Sequence, residues 1–153
     1  MFHIVLVEPE IPPNTGNVAR LCAGTGCELH LIRPLGFSID DKQLKRAGLD
    51  YWHLVKVHVH DSWAAFIETH RQANLFFLST KGKKAYHEFH FRPGDFLVFG
   101  KETKGLPEAI LNEWPERVTR IPLAADARSL NLSNAVAVVV FEGLRQNGFA
   151  GLL

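Results

Sequence analysis

Phe2-His-Ile-Val-Leu-Val7, then Glu8-Pro-Glu-Ile-Pro-Pro-Asn-Thr-Gly16, then Asn17-Val-Ala-Arg-Leu-Cys-Ala-Gly-Thr-Gly26: this opening stretch decides the fold. Phe2–Val7 reads as a buried strand. The next nine residues hold three prolines and read as a turn-rich loop. Asn17 to about Gly26 reads as a helix stopped by a glycine. A strand, a loop and a helix in that order make the repeating unit of an α/β domain.

The alternation continues outward from there. Leu29–Ile32 is a second expected strand, and Asp40–Ala47 a short helix with Asp40 as N-cap. His53–Val59 and Leu75–Ser79 are further strands around a helix over Ser62–Arg71. Phe96–Gly100 and Val118–Ile121 complete six strands, with Pro107 placed to start a short helix between them. Asn131–Asn147 is ambiguous, because the valine-rich Ala135–Phe141 could be a central strand. Its length, the N-cap candidates Asn131 and Ser133, and Gly148 as a stop favour a helix. That helix is apolar on more than one face, so it is expected to pack against both the sheet and a second subunit. Without a repeat or linker, residues 1–153 are expected to form one domain.

Composition narrows the class of partner. The formal net charge is only +1, so a nucleic acid must be held by a local basic patch and not by the whole protein's field. Three clusters qualify: Lys42, Lys45 and Arg46; Lys81, Lys83 and Lys84; Arg117, Arg120 and Arg128. Tyr51-Trp52 follows the first and could stack a base, although a charge run is more often a solvated face. Cys22 and Cys27 are the only cysteines and match neither a disulfide framework nor a C-x-x-C pair, which points to reduced thiols and a cytoplasmic location. No signal peptide is expected before the first strand. The longest apolar run, Ala135–Phe141, is too short for a membrane helix, so no membrane partner is expected.

Three segments after expected strands could carry chemistry, since ligands of open α/β sheets bind beyond the carboxyl ends of strands. Asn14-Thr-Gly-Asn-Val-Ala-Arg20 enters a helix, with Arg20 about one turn in and facing the loop; an ordinary capped helix with a surface arginine is the alternative. Phe99-Gly-Lys-Glu-Thr-Lys-Gly-Leu-Pro107 has two glycines that allow close backbone approach to a ligand. It is not a P-loop: Glu102 stands where a magnesium-binding Ser or Thr is needed. Ile121-Pro-Leu-Ala-Ala-Asp-Ala-Arg-Ser-Leu-Asn-Leu-Ser-Asn134 sets polar side chains at a helix start, which suits an adenosine or a carboxylate. Gly24-Thr-Gly26 lacks the further glycine of a dinucleotide fingerprint, because position 29 is Leu29. His58-Val-His60-Asp61 and His87-Glu-Phe-His90 read as solvated strand-end histidines and not as metal ligands.

Together and in this order, the three segments resemble the three motifs of the SPOUT methyltransferases: N-x-G-N-x-x-R, F-G-x-E-x-x-G-L-P and I-P-L…S-L-N-L-S-N. Glu8-Pro-Glu-Ile-Pro-Pro-Asn14 and Arg46-Ala-Gly-Leu-Asp-Tyr51 extend the likeness along essentially the whole chain to the subfamily that methylates the tRNA wobble ribose. Many relatives carry a serine-glutamate-glycine form of the second motif, whereas Lys101-Glu-Thr-Lys104 stands here.

The resemblance implies an α/β fold with a mostly parallel sheet, a deep C-terminal trefoil knot, and a homodimer with its site at the interface. It implies S-adenosyl-L-methionine as donor, S-adenosyl-L-homocysteine as product, and no metal. The acceptor would be the 2′-hydroxyl of nucleotide 34, cytidine or a modified uridine, in the anticodon stem-loop of leucine tRNAs. Cofactor contacts carry over to Leu78, Thr80, Gly100, Glu102, Ile121, Leu123, Ser129 and Leu130; Asn14, Arg20, Ser133 and Asn134 carry over as the reaction centre. Arg20 would meet the ribose hydroxyl and stabilise its developing negative charge, since arginine is hard to deprotonate. The rival readings are the same chemistry on a ribosomal RNA and a non-catalytic nucleotide- or RNA-binding module; Asn14 and Arg20 favour an enzyme, because binding alone needs neither.

Overall fold

The computed structural model describes residues 1–42, 44, 46 and 51–153. Seven parallel strands form one sheet: β1 (His3–Val7), β2 (Glu28–Ile32), β3 (Val57–His60), β4 (Leu75–Leu78), β5 (Lys84–Ala85), β6 (Phe96–Phe99) and β7 (Val118–Arg120). Their spatial order is β3-β2-β1-β6-β4-β7-β5. Six of these are the expected strands with shifted ends. The seventh, two-residue β5 is too short to leave a pattern. Residues Trp52–Leu54, expected in the third strand, instead form a 3₁₀ turn. Of the expected helix Asp40–Ala47, Lys42, Leu44 and Arg46 are helical and Ala47 lies outside the described residues. The Asp41 carboxylate accepts the Leu44 N–H at 3.4 Å.

Parallel strands covered on both faces are apolar on both sides, and alternate residues feed two separate cores. Ile4, Leu6, Leu29, Leu31, Leu97 and Phe99 face helices α1 (Pro12–Thr25) and α4 (Leu132–Gln146). Val5, Val7, Ile32, Phe77, Phe96 and Val98 face α2 (Trp63–Thr69) and α3 (Glu108–Glu113). The ambiguous last segment is therefore a helix, capped by the Asn131 side-chain oxygen Oδ1, which accepts from the Ser133 and Asn134 N–H groups. Its Val136, Val139, Val140 and Leu144 are buried, while Val138 and Phe141 remain 37% and 47% exposed. Among the described residues no helix is long and apolar enough to cross a membrane.

Helix α1 starts earlier than its sequence suggests. Pro12 and Pro13 occupy its first two positions, where a missing N–H costs nothing, so residues 12–16, expected as loop, are helix. Asn14 consequently sits in the first helical turn, and Arg20 lies more than two turns in.

Gly143 is the point where α4 meets Phe2, the residue just before β1. A Cβ there would stand 2.7 Å from two atoms of the Phe2 ring, which is fully buried. Gly143→Ala is expected to destabilise the fold by about 1–3 kcal/mol, less the ~1 kcal/mol that alanine returns in helix propensity. Urea titration of the two proteins checks this.

Under α2, a chain of imidazoles runs across three strands. His3 Nδ1 is 2.9 Å from His30 Nε2, and His30 Nδ1 is 3.0 Å from His60 Nε2. Glu28, which can only accept when ionised, lies 3.4 Å from His3 Nε2 and so directs the donors of the chain. His30 is 2% exposed. Burial, followed by the neighbouring His58, His3, His60 and His70, pushes its pKa from 6.5 to about 2. The folded-state value is depressed, so between these limits the unfolded chain binds a proton that the folded chain refuses. Stability must fall as pH drops below 6.5, by up to about 1.4 kcal/mol per unit. From pH 7.5 to 5.0 the loss from this site is about 2 kcal/mol by the same linkage. Urea midpoints across that range should move less in His30→Leu than in the parent protein.

Candidate active site

The neighbours β1, β6, β4 and β7 are consecutive in space but not in sequence. Their carboxyl ends therefore bring four loops together: 8–11, 100–106, 79–83 and 121–131. Between them lies a cleft of about 520 Å³, within the range of small-molecule sites. Leu78, Thr80, Gly100, Glu102, Ile121, Leu123, Ser129 and Leu130 all line it, as does Asn14. Residues as far apart in sequence as Asn14 and Leu130 thus line one cleft.

Hydrogen bonds lock these loops to each other. Ile11, the N-cap of α1, has no side chain able to accept, and Pro12 and Pro13 have no N–H to offer. The Glu102 carboxylate does the capping from a distant loop: it accepts from the Glu10 N–H at 2.8 Å and the Ile11 N–H at 2.7 Å. Negative charge at a helix start is favoured by the dipole as well. Glu102 also accepts from the Asn14 amide at 3.2 Å, and Asn14 Oδ1 accepts from Asn131 Nδ2 at 3.0 Å. Glu10 returns the link, accepting from the Thr103 hydroxyl at 2.7 Å and its N–H at 3.1 Å. These bonds hold the Glu10 carboxyl below the usual range. Lys101 pairs with Glu8 at 3.6 Å.

Two glycines shape the loop that carries Glu102. Gly105 has φ +67°, and Gly100 approaches it so closely that a Cβ would stand 2.1 Å from the Gly105 carbonyl carbon. Across the cleft, 121–130 has little internal hydrogen bonding: Ala127 N–H to Ala124 C=O, 2.9 Å, is the one internal backbone bond among the described residues. The peptide groups of Leu123, Ser129 and Leu130 have no hydrogen-bond partner there. Apolar walls with free donors and acceptors suit a purine nucleoside, which needs both.

Not every expected site residue lies in the cleft. Arg20 is exposed on α1 and is not among the residues that line the cleft; its Cζ stands 4.8 Å from the Tyr51 ring centroid. Ser133 Oγ bonds Asn131 Oδ1 at 2.6 Å, and Asn134 is exposed on the first turn of α4. Asn14 is 6% exposed with both ends of its amide engaged, so it positions loops. Of the basic clusters, Lys81 and Arg128 reach the cleft, joined by Lys101 and Lys104. Lys81 is paired with Glu108, and Lys84 lies over the Phe89 ring. Lys45 of the first cluster, and residues 47–50 of the segment ending at Tyr51, lie outside the described residues.

Sequence reading left three site residues without a site role: Asn131, Glu10 and Thr103. Asn131 was legible as a cap, but its bond to Asn14 crosses 117 residues. Glu10 and Thr103 carry no local signal, because their pairing depends on β1 lying beside β6. His58 is exposed as expected and His60 is half-buried; both rings also stack on the buried His30. Among the described residues no three His, Cys, Asp or Glu side chains are grouped as metal ligands.

Comparison with known proteins agrees with this geometry. A tRNA (cytidine(34)-2'-O)-methyltransferase of Saccharophagus degradans is 57% identical over 152 residues, 99% of each chain. A solved structure described as giving insight into 2-OH methylation of C/U34 on tRNA superposes with a TM-score of 0.93 at 49% identity, over 97% of both chains. The methyltransferase AviRb of Streptomyces viridochromogenes, solved with AdoMet, shares the fold at 23% identity and a TM-score of 0.84, over 97% of this chain and 58% of its own. The family model of the SpoU rRNA Methylase family matches residues 1–141, and with these relatives it makes the chain a member of that family.

Proposed function

We propose that this chain transfers a methyl group from S-adenosyl-L-methionine to the ribose 2′-oxygen of nucleotide 34 in tRNA. The observation that carries the reading is the cleft of four strand-end loops, in a chain 57% identical over 99% of its length to a tRNA (cytidine(34)-2'-O)-methyltransferase. Cytidine or a modified uridine in leucine tRNAs is the acceptor. Residues 1–153 act as one domain, in the cytoplasm, as a homodimer. Val138 and Phe141, apolar and outward on α4, support the dimer contact. A trefoil knot at the C-terminal end is part of the proposal. It is supported by the route of 121–131 past the loops after β4 and β6, and by Gly82 packing against the Thr119 backbone.

The donor, when bound, supplies a methyl group already activated on a sulfonium, so the reaction needs no metal. The residues of this chain have three tasks. Leu78, Thr80, Gly100, Ile121, Leu123, Ser129 and Leu130 hold a nucleoside through apolar walls and backbone groups. Glu102 and Asn14 keep the loops in register, which fixes the angle of approach; alignment alone reaches about 7–11 kcal/mol in ideal cases. Arg20, with Ser133 and Asn134, acts on the ribose hydroxyl. A guanidinium stays cationic, so its part is to stabilise negative charge growing on the 2′-oxygen. Lys101, Lys104 and Arg128 at the cleft supply positive charge for the RNA backbone.

Labelled S-adenosyl-L-methionine incubated with tRNA lacking its native ribose methylation should leave a 2′-O-methylated nucleoside at position 34, identified by mass spectrometry of digests. Label in ribosomal RNA instead would favour the rival acceptor, and no label in any RNA would favour a binding module. Arg20→Lys should lower turnover about 10–100-fold, because lysine lacks the planar fork, while cofactor affinity measured by calorimetry stays within about twofold.

A further inference from the structure

Tyr51 has no assigned part in the proposed machinery, yet its ring touches Arg20, the cationic side chain assigned to the reacting hydroxyl. We infer that Tyr51 is a positioning residue for Arg20: its ring holds the guanidinium in place for methyl transfer. The inference rests on the role proposed for Arg20.

Three observations carry it. The Arg20 Cζ lies 4.8 Å from the Tyr51 ring centroid, within cation–π range. Arg20 is exposed, and no carboxylate among the described residues pairs with it, so the ring is what limits its freedom. The ring itself is anchored. Tyr51 is half-buried, its carbonyl accepts the Leu54 N–H at 2.9 Å, and the turn it opens packs Trp52 and Val55 against the core that holds Val18 and Cys22 of α1. The arginine and its support therefore ride on one rigid unit.

The chemistry favours a ring over an acid for this task. A carboxylate would occupy one edge of the guanidinium fork and neutralise its charge. Contact with a ring consumes no N–H, so all five donors stay available to a ribose hydroxyl and the phosphates beside it. It also removes rotamer freedom from a long side chain before the substrate arrives. The aromatic residue next to the first basic cluster is thus occupied by Arg20 and is not a free platform for a base.

The test is steady-state methyl transfer by Tyr51→Phe, Tyr51→Leu and Arg20→Lys, with urea midpoints for each. Tyr51→Phe keeps the ring and should stay within about twofold of the parent, since phenylalanine also accepts a cation. Tyr51→Leu should lower kcat about tenfold, as for a misplaced catalytic group, with KM for tRNA, cofactor affinity and urea midpoint unchanged. A Tyr51→Leu protein with parental kcat beside an inactive Arg20→Lys overturns the role of Tyr51 and leaves that of Arg20 standing. A rise in KM for tRNA at unchanged kcat would mean that the ring binds RNA directly, and it overturns the inference too, as would a Tyr51→Phe protein as slow as Tyr51→Leu. An active Arg20→Lys overturns the role of Arg20 and this inference with it.

Discussion

The Glu102 carboxylate is the constraint on which the rest of the site depends. It caps a helix 91 residues away in sequence, whose own N-cap is an isoleucine followed by two prolines. Without that acceptor, the Glu10 and Ile11 N–H groups would lose charge-assisted partners of the kind that outweigh neutral hydrogen bonds about twofold. Through Asn14 the same carboxylate reaches Asn131 and the start of α4. Three loops that could drift apart are thereby held as one wall, and the cleft exists because they are.

This arrangement follows from strand order. β1 lies between β2 and β6, so the chain places its first and sixth strands side by side, and their following loops meet. The parallel sheet demands apolar residues on both faces, which accounts for the near-continuous runs Ile4–Val7, Leu75–Leu78 and Phe96–Phe99. His30 is a titratable side chain buried in that core; burial, and after it the neighbouring imidazoles, keep it neutral. The price is sensitivity to acid.

Much of this was legible in the residues. Period, length and stop signals identified six strands and the C-terminal helix, because each depends on local pattern. Cleft-lining residues such as Ile121 and Leu130 could be named only through family resemblance, since apolar side chains in a loop carry no signal of a site. Long-range partnerships were not legible at all. Nothing in Glu102 says that it caps α1, and nothing in Tyr51 says that Arg20 lies over it, because both depend on how distant elements pack. The start of α1 was missed for a different reason: prolines read as loop residues unless their tolerance at the first helical turn is applied.

The most direct measurement is S-adenosyl-L-methionine binding to Glu102→Gln by calorimetry, alongside its urea midpoint. Glutamine keeps the size and the backbone but cannot accept from two N–H groups and the Asn14 amide together. Loss of charged hydrogen bonds worth about 1.5–3 kcal/mol should weaken binding roughly 10–100-fold in a protein that still unfolds cooperatively. Parental affinity in Glu102→Gln would contradict the account, because the cleft would then hold its shape without the carboxylate that ties its loops.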